Sequence, residues 1–378
     1  MPITKYFIMS SAKPKQSLCR TELLSTLLNT ELSFPFITPP EHGELIEVAE
    51  GVFWLRMPLP FSLAHINLWL LKDYDGWTII DTGIKSDETK KLWESIFEQY
   101  LNGESVNRVV LTHLHPDHMG LALWLTEYWK VDLWMTHAEW LYSQLNGVME
   151  HTNMSENLEK HFTSLGIDSE VAGNMKNMFS MYSRMMDPTP SQFQRVAAGD
   201  SLDINGKNWK VMIGRGHSPE HACYYCEELN VIIGGDQLLP RITPSISVSP
   251  EEPNGNPLGL FLDSLEQFYT LPIDCLVLPS HELPYKKIHQ RLDQLKAHHR
   301  ERCDVILTAC QEPASAIDVM RIMFSHRKLS AIDEIMALGE TVAHINLLLI
   351  QDELDRTIVD GLYQFKSLSK PKVPIQAS

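Results

Sequence analysis

From Glu47 the chain consists of short runs rich in apolar, β-branched and aromatic residues, the pattern of β-strands. The first runs cover 51–56, 66–71 and 77–80, and the third leads directly into Asp81. A helical pattern follows, for which Ser86 is the predicted N-cap. The apolar face of this helix comprises Leu92, Trp93, Ile96, Phe97 and Leu101. Asp81 is thus the first of several ligand-capable residues that follow a predicted strand.

The next predicted strand, 108–111, leads into the stretch from Thr112 to Gly120 and then into a helix. After a short strand at 132–135 the pattern is helical from about 138 to 187, and this part contains seven of the 16 methionines. One helical stripe of it comprises Met175, Met178, Tyr182 and Met185. Packing on the domain explains such a stripe, as does a lid that also contacts an apolar substrate arm or another subunit.

Strands return after residue 190. Asn205-Gly206 predicts a hairpin turn, and after the turn at 214–221 two further strands lead to Asp236. A helix is predicted from about 259 to 269, and the strand 275–278 that follows it leads to His281. Because loops at one edge of layered sheets converge although they are distant in sequence, these strand ends predict one shared site.

The last third is mainly helical. Its helical patterns lie at 286–310, 314–324 and 332–349, and a small hairpin follows with strands at 354–359 and 361–365. Helices followed by a short β wing resemble a winged-helix appendage. Acidic and basic residues are balanced there, which favours packing or dimerisation over nucleic-acid binding. Adjacent His298 and His299 diverge by about 100° on a helix and make a poor chelating pair.

These patterns predict a main domain between two flanking regions. The boundaries are an N-terminal extension at 1–44, a main domain at 45–284 with a helical insertion at about 138–190, a C-terminal domain at 285–368 and a tail at 369–378. The extension contains a Pro-rich run and is expected to pack on the main domain.

Composition sets the broad class. The 378 residues are 44% hydrophobic and 21% charged, which is ordinary for a globular protein. A net charge of -16 disfavours nonspecific attraction to nucleic acid or anionic lipid. No run approaches the roughly 20 apolar residues of a membrane span, and the N-terminus lacks the apolar stretch of a secretory signal. We expect a cytoplasmic protein with reduced cysteines, among them Cys223 and Cys226 on opposite faces of one strand.

Four metal-capable side chains occur within six positions after the strand at 108–111, namely His113, His115, Asp117 and His118. Residues two apart at the extended end of a strand point the same way, so His113 and His115 can bind one ion. Asp117 and His118 can reach a second ion nearby. Imidazole nitrogens and carboxylates suit zinc and its first-row relatives.

The chain resembles the metallo-β-lactamase-fold hydrolases over about 45–285. The resemblance is carried by the order and approximate spacing of Asp81-Thr82-Gly83, His113-x-His115-x-Asp117-His118, His217, Asp236 and His281. It implies an α/β fold: an αββα sandwich with the metal site at one edge of its two sheets, a helical insertion and a small, mostly helical C-terminal domain.

The resemblance also implies the roles of the site residues. It assigns His113, His115 and His217 to one ion, Asp117, His118 and His281 to a second, and Asp236 to a bridge. It makes Asp81 an outer residue that orients the ligands, and the same role is expected for His221, with substrate contact as the alternative. The implied cofactors are two divalent transition-metal ions, with zinc favoured and iron or manganese open.

The expected activity is attack by a metal-bound hydroxide, oriented by Asp117, on a carbonyl ester of a small molecule. True β-lactamases usually carry a cysteine where Asp236 stands, so the resemblance points to glyoxalase II-like and lactonase-like members. A thioester, of the acyl-CoA or glutathione type, or a lactone is the preferred substrate. Met178, Tyr182 and Arg241 are candidate substrate contacts.

Two other functions stay open at this stage. One is a phosphodiesterase or ribonuclease of the same fold, which the winged-helix-like tail suggests and the acidic charge opposes. The other is a ligand sensor that keeps the metal site without catalysis. A homodimer is also left open.

Overall fold

The computed structural model of the protein describes residues 31–61, 63–146, 154–168, 184–325, 329 and 331–368. The methionine stripe falls largely outside the described residues, and so do Met178 and Tyr182. The described part of the N-terminal extension contacts both the main domain, where Phe36 packs against the cluster shared by the two sheets, and the start of the C-terminal region. The Lys286 backbone N–H donates to the Ser33 carbonyl at 2.8 Å, and Phe34 packs against the core.

The first sheet follows the order of the chain. Its strands are β1 (Ile46–Ala49), β2 (Val52–Pro58), β3 (His65–Lys72), β4 (Gly76–Ile80), β5 (Ser105–Val110), β6 (Leu133–Thr136) and β7 (Gln194–Val196). β1 to β4 pair antiparallel, whereas β4 to β7 pair parallel. Parallel neighbours need crossover connections, which the helices after β4 and β5 provide.

The second sheet has the strand order β12-β11-β10-β9-β8. Its strands are β8 (Ser201–Ile204), β9 (Lys207–Gly214), β10 (His221–Cys226), β11 (Val231–Gly235) and β12 (Leu276–Pro279). The predicted hairpin turn joins β8 to β9, where Asn205 and Gly206 have φ values of 52° and 74°. Two central residues with positive φ define the turn that matches the twist of a hairpin.

The larger helices pack on the outer faces of the two sheets, and one short helix lies at the edge that carries the candidate ligands. They are α1 (Asp87–Tyr100), α2 (Pro116–Met119), α3 (Ala122–Trp129), α4 (His137–Asn146), α5 (Met154–Ser164), α6 (Pro257–Leu265), α7 (Ile288–Ala309), α8 (Ala316–Met323) and α9 (Ala331–Ile350). Ser86 caps α1 as predicted, since its Oγ accepts from the Thr89 N–H at 3.0 Å. The helix predicted from 259 begins earlier, because Asn256 caps it and Pro257 occupies its first position.

Successive strand residues alternate between two cores, which makes the architecture an αββα sandwich. Trp54 and Trp69 belong to the buried cluster shared by both sheets, while Leu55 and Leu68 belong to the cluster under α1 and α3. On β10, Cys223 and Cys226 likewise belong to different clusters, and both are free thiols. Strands buried on both faces read as continuous apolar runs, as β3 and β4 do here.

The C-terminal helices pack on the outer face of the second sheet. Buried residues of α6, α7, α8 and α9 share one cluster with Ile232 and Val277 of that sheet. The predicted hairpin is present as β13 (Leu354–Val359) and β14 (Leu362–Ser367), and Phe365 pairs with Ala314 before α8. Within the described residues, no helix combines the length and apolarity needed to cross a membrane.

Candidate metal centre

The candidate ligands all follow the carboxyl ends of strands at one edge of the sandwich. Asp81 follows β4 and the His113 to His118 loop follows β5, whereas Asp236 and His281 follow β11 and β12 of the other sheet. Hydrogen bonds join the two sheets at this edge: the Ala222 N–H donates to the Thr112 carbonyl at 2.8 Å. The predicted convergence of distant loops is therefore what the structure shows.

The first group of donors comprises His113, His115, His217 and Asp236, whose ligand atoms lie within 4.8 Å of one another. His113 Nε2 is 2.8 Å from His115 Nδ1 and 3.1 Å from His217 Nε2. Burial lowers the pKa of His115 to about 3, which leaves its imidazole neutral. A neutral imidazole can donate a nitrogen lone pair to a metal ion, so histidines whose ring nitrogens converge are suited to bind one.

The second group comprises Asp117, His118 and His281, whose ligand atoms also lie within 4.8 Å of one another. Asp117 Oδ2 is 3.4 Å from His281 Nε2 and 3.8 Å from His118 Nε2. Burial disfavours the charged form of His118, but the carboxylates of Asp117, Asp81 and Asp236 raise its pKa well above the ordinary value. Three acids thus surround this histidine.

Asp236 faces both groups. Its Oδ2 is 3.3 Å from His217 Nε2, and its Oδ1 is 3.5 Å from both His118 Nε2 and His281 Nε2. Burial favours the neutral acid, but the histidines of the second group hold the pKa of Asp236 well below its usual range. The carboxylate is therefore available to both groups at once.

Two buried atoms between the groups indicate that the site fits metal ions. His118 Nε2 and Asp236 Oδ1 are both buried and accept or donate no hydrogen bond. Such atoms are costly in a protein interior unless a ligand satisfies them. With nitrogen and carboxylate oxygen donors around both, the donor set suits zinc, iron or manganese.

Asp81 contacts the ring nitrogen of His118 that faces away from the donor group. Its Oδ2 lies 2.8 Å from His118 Nδ1, and its two oxygens also accept from the N–H and Oγ of Thr112, each at 2.8 Å. Contact of Nδ1 with a carboxylate fixes the ring so that Nε2 points into the site.

His221 lies outside both groups and supports Asp236 through the backbone. Its Nε2 accepts from the Asp236 N–H at 3.1 Å, and its ring stacks on that of His113 with centroids 4.7 Å apart. A side chain at Gly235 would place its Cβ 2.5 Å from the same nitrogen, so only glycine fits before Asp236. An orienting role for His221 stays a prediction.

Sequence reasoning did not identify Glu139, a buried acid in the first turn of α4. Its Oε2 accepts from the Leu114 N–H at 3.0 Å, and its Oε1 accepts from Ser218 Oγ and the Glu220 N–H, each at 2.7 Å. Burial raises the pKa of this carboxyl to about 7. Glu139 therefore connects the loop of His113 and His115 with the loop of His217. No motif spacing marks it, because two of its three partners are backbone groups.

Backbone carbonyls orient two further histidines. His217 Nδ1 donates to the Ser245 carbonyl at 2.7 Å, and His281 Nδ1 donates to the His65 carbonyl at 3.0 Å. These bonds leave Nε2 of each ring directed at the donor groups. Main-chain partners of this kind are also invisible in a sequence.

The His281 loop is braced by the first sheet. Asn67 is fully buried, and its Nδ2 donates to the carbonyls of Pro279 and Glu282 at 2.9 and 3.0 Å. Arg56 Nη2 donates to the same Glu282 carbonyl at 2.8 Å. One buried amide thus holds the chain on both sides of His281.

A groove of about 2440 Å³ opens beside the candidate metal centre and is lined by residues of both donor groups. Its other walls come from the loop at 239–257, from α5 and α6, and from the first half of α9. Arg241 is exposed at this groove, with its guanidinium 4.6 Å from the centre of the Phe34 ring. Met185 also lines it.

Residues 63–281 match the metallo-beta-lactamase superfamily, and residues 303–368 match the C-terminal domain of metallo-beta-lactamase-like proteins. The first match alone covers more than half of the chain, so the chain belongs to the metallo-beta-lactamase superfamily. The expected family and fold class are confirmed. Relatives of the chain are named as metallo-hydrolases, which supports a hydrolase. The matches do not identify the glyoxalase II-like branch.

Three known proteins are similar to this chain over more than half of its length. A beta-lactamase domain protein from Burkholderia ambifaria has a TM-score of 0.81 at 42% identity, covering 89% of this chain and 98% of that chain. The probable metallo-hydrolase YqjP of Bacillus subtilis is 24% identical over 85% of this chain and 99% of its own length. The atrochrysone carboxyl ACP thioesterase of Aspergillus fumigatus is 22% identical over 62% of this chain and 41% of its own length.

Proposed function

We propose that the chain is a binuclear metal-dependent hydrolase of small-molecule carbonyl esters, with thioesters as the leading substrate class and lactones as the second. The observation that carries the proposal is the position of Asp236, whose Oδ2 lies 3.3 Å from His217 and whose Oδ1 lies 3.5 Å from His118 and His281. A carboxylate between two donor groups is suited to bridge two ions.

In this proposal His113, His115 and His217 would hold one ion, Asp117, His118 and His281 would hold the other, and Asp236 would serve both. Two divalent cations, zinc before iron or manganese, would make water nucleophilic near neutral pH and polarise the substrate carbonyl. Asp81 and His221 would keep His118 and Asp236 in their bound orientations.

Asp117 is the residue proposed to orient the attacking water. Its Oδ2 faces His281 and His118 while part of the carboxylate remains open to the groove. In hydrolysis the water oxygen bonds to the acyl carbon, the carbon–sulfur bond breaks, and the water proton passes through Asp117 to solvent or to the leaving thiolate. A thiolate is a good leaving group and departs without a general acid, which suits a thioester to this site.

Two observations support thioesters within the ester class. The groove beside the donor groups is lined by many apolar residues, and one relative, at 22% identity, is named atrochrysone carboxyl ACP thioesterase. Arg241, exposed at the groove, is proposed to contact a polar or anionic group on the thiol side of the substrate.

The proposal is tested by metal analysis together with hydrolysis of acyl-CoA thioesters, glutathione thioesters and homoserine lactones. We expect about two transition-metal ions per chain and thioester turnover that Asp236→Ala lowers more than about 100-fold. Asp263→Ala, which changes an exposed aspartate on α6, is the matched control and should behave as the wild type. Purified protein without transition metal, or turnover that survives Asp236→Ala, would contradict the proposal.

Acidic residues around the groove oppose the phosphodiesterase alternative. Glu251, Glu252, Asp333 and Glu340 all line it, and the net charge of the chain is -16. An RNA strand, which carries one negative charge per nucleotide along its whole length, would be repelled by this lining. Bis(p-nitrophenyl) phosphate and RNA are therefore included in the panel, and cleavage faster than that of every thioester would favour the alternative.

We propose a winged-helix-like arrangement for the C-terminal region, supported by the three helices α7 to α9 followed by the β13–β14 hairpin. Because its helices share a buried cluster with the second sheet, packing rather than nucleic-acid binding is its proposed role.

A further inference from the structure

Exposed apolar side chains surround the groove on several separate elements. Those that both line the groove and are exposed are Phe61, Leu63, Tyr142, Leu145, Leu260 and Met336. Single exposed apolar residues are normal on protein surfaces, but a set around one concave site marks the binding of an apolar ligand.

The size of the groove exceeds what the reacting group needs. Sites for compact small molecules have volumes of about 300 to 1,000 Å³, whereas this groove has a volume of about 2440 Å³. An ester carbonyl with its leaving group at the donor groups would fill only part of it. The remaining space can take an extended arm.

The wall that α9 contributes is held firmly against the loop at 239–257. Asn346 Nδ2 donates to the carbonyls of Pro253 and Gly255 at 3.0 and 2.9 Å. A Cβ at Gly339 would lie 2.7 Å from Ser247 Oγ, so α9 approaches this loop as closely as glycine allows. The loop itself is tied to the metal centre through the bond between the Ser245 carbonyl and His217. The wall and the centre are therefore parts of one continuous structure.

Charges in the groove favour a neutral arm. Arg291 also lines it, but its guanidinium donates to the carbonyls of Leu239 and Ile242 at 2.6 and 2.7 Å. Acidic side chains form part of the lining near α9, among them Asp333 and Glu340. Carboxylates repel an anionic extension and leave an uncharged hydrocarbon chain as the matching occupant.

We propose that the groove binds the long hydrocarbon arm of an acyl substrate and that α9 of the C-terminal region supplies one of its walls. This assignment rests on the proposed ester hydrolysis and adds the class of acyl group: a medium-chain or long-chain acyl arm, not an acetyl or a short polar one. It also gives the C-terminal region a direct part in choosing the substrate.

The test uses the full-length metal-loaded enzyme and N-acetylcysteamine thioesters of acetyl, hexanoyl, decanoyl and tetradecanoyl groups. These substrates share one small thiol, so they differ only in the acyl arm. We expect kcat/KM to rise about fourfold for each methylene that becomes buried. Met336→Glu and Leu260→Glu each place a charge in the groove and should lower the ratio of decanoyl to acetyl kcat/KM by about tenfold or more.

Ile322→Glu is the matched control. Ile322 and Met336 are both 50% exposed on C-terminal helices, but only Met336 lines the groove. The control should keep the wild-type ratio, which separates a lost contact from a general effect of a new charge. Circular dichroism melting of all three variants checks that they fold.

A binding measurement separates failure of this inference from failure of the proposed function. Decanoate is titrated into the wild type, Met336→Glu and Ile322→Glu by calorimetry. If no thioester is turned over, the proposed hydrolysis fails, and decanoate binding that is lost only in Met336→Glu still supports the groove. Thioester turnover with no dependence on chain length, or decanoate binding absent from the wild type or equal in all three proteins, overturns the inference.

Discussion

The Glu139 carboxylate accepts a hydrogen bond from the Leu114 backbone N–H at 3.0 Å, between the two histidines of the His-x-His pair. The other oxygen of the same carboxylate accepts from Ser218 and Glu220, directly after His217. One buried acid thus fixes two loops that bring three histidines to the first donor group. The second donor group depends on different supports, Asp81 and Asn67.

Glu139→Gln should weaken the first metal site selectively. The amide NH₂ of glutamine cannot accept a hydrogen bond, so one of the two loops loses its partner. We expect the affinity for one ion to fall about 10- to 100-fold, the usual cost of losing a residue that orients ligands. The measurement is competition between a chelator and the protein for Co²⁺, in a His281→Ala background that retains only the first group.

The same substitution in a His113→Ala background, which retains the second group, should change the affinity little. Glu127→Gln, on an exposed glutamate of α3, is the matched control. Equal losses in both backgrounds would mean that Glu139 supports the fold generally and not one site.

Asp81→Asn should give the opposite selectivity. The carboxylate faces His118 Nδ1 at 2.8 Å, and replacing it by an amide removes the charge that fixes this ring. Co²⁺ affinity in the His113→Ala background should fall about 10- to 100-fold, while affinity in the His281→Ala background should change less. A larger loss at the first group would show that Asp81 acts through Thr112 and the whole loop.

The sequence identifies the residues that form the two donor groups of the candidate metal centre, because they follow strand ends and their spacing forms a motif. It does not identify Glu139, Asn67 or Ser245, which act through main-chain groups of loops far along the chain. Local pattern carries no signal for such bonds. The sequence does not predict the groove either, because α9 and the loop at 239–257 come together only through tertiary packing. Met178 and Tyr182 lie outside the described residues, so their contact with the substrate stays a prediction.

Asn67→Ala should lower stability and impair the second metal site together. Its Nδ2 satisfies the buried carbonyls of Pro279 and Glu282, and removing it leaves these groups without that donor. Loss of a buried hydrogen-bonding side chain costs about 1 to 3 kcal/mol. Urea unfolding measures the free energy, and Co²⁺ binding in the His113→Ala background measures the site. Asn254→Ala, an exposed asparagine with one hydrogen bond to Arg356, is the control; an equal loss in both would refute a special role for Asn67.

A buried histidine pair in the C-terminal region should make folding stability depend on pH. His344 donates from Nδ1 to the Glu340 carbonyl at 2.8 Å, and its Nε2 accepts from His299 Nδ1 at 3.0 Å. This network requires His344 to be neutral, and burial lowers its pKa to about 4. Burial also places the pKa of His299 well below the ordinary value.

The sign of the effect follows from the lowered pKa. A histidine in the unfolded chain has a pKa of about 6.5. Between about pH 6.5 and 4 the unfolded chain therefore binds more protons at this position than the folded chain does. The stability contributed by neutral His344 is complete above this window and is lost as the pH falls through it, by up to about 3 kcal/mol. Urea unfolding at pH 7.5 and pH 5 measures the loss. His344→Gln, whose amide oxygen still accepts from His299, should reduce the difference between the two pH values, whereas His42→Gln at an exposed position should not. A His344→Gln variant that loses as much stability as the wild type between pH 7.5 and pH 5 would show that the pair does not cause the pH dependence.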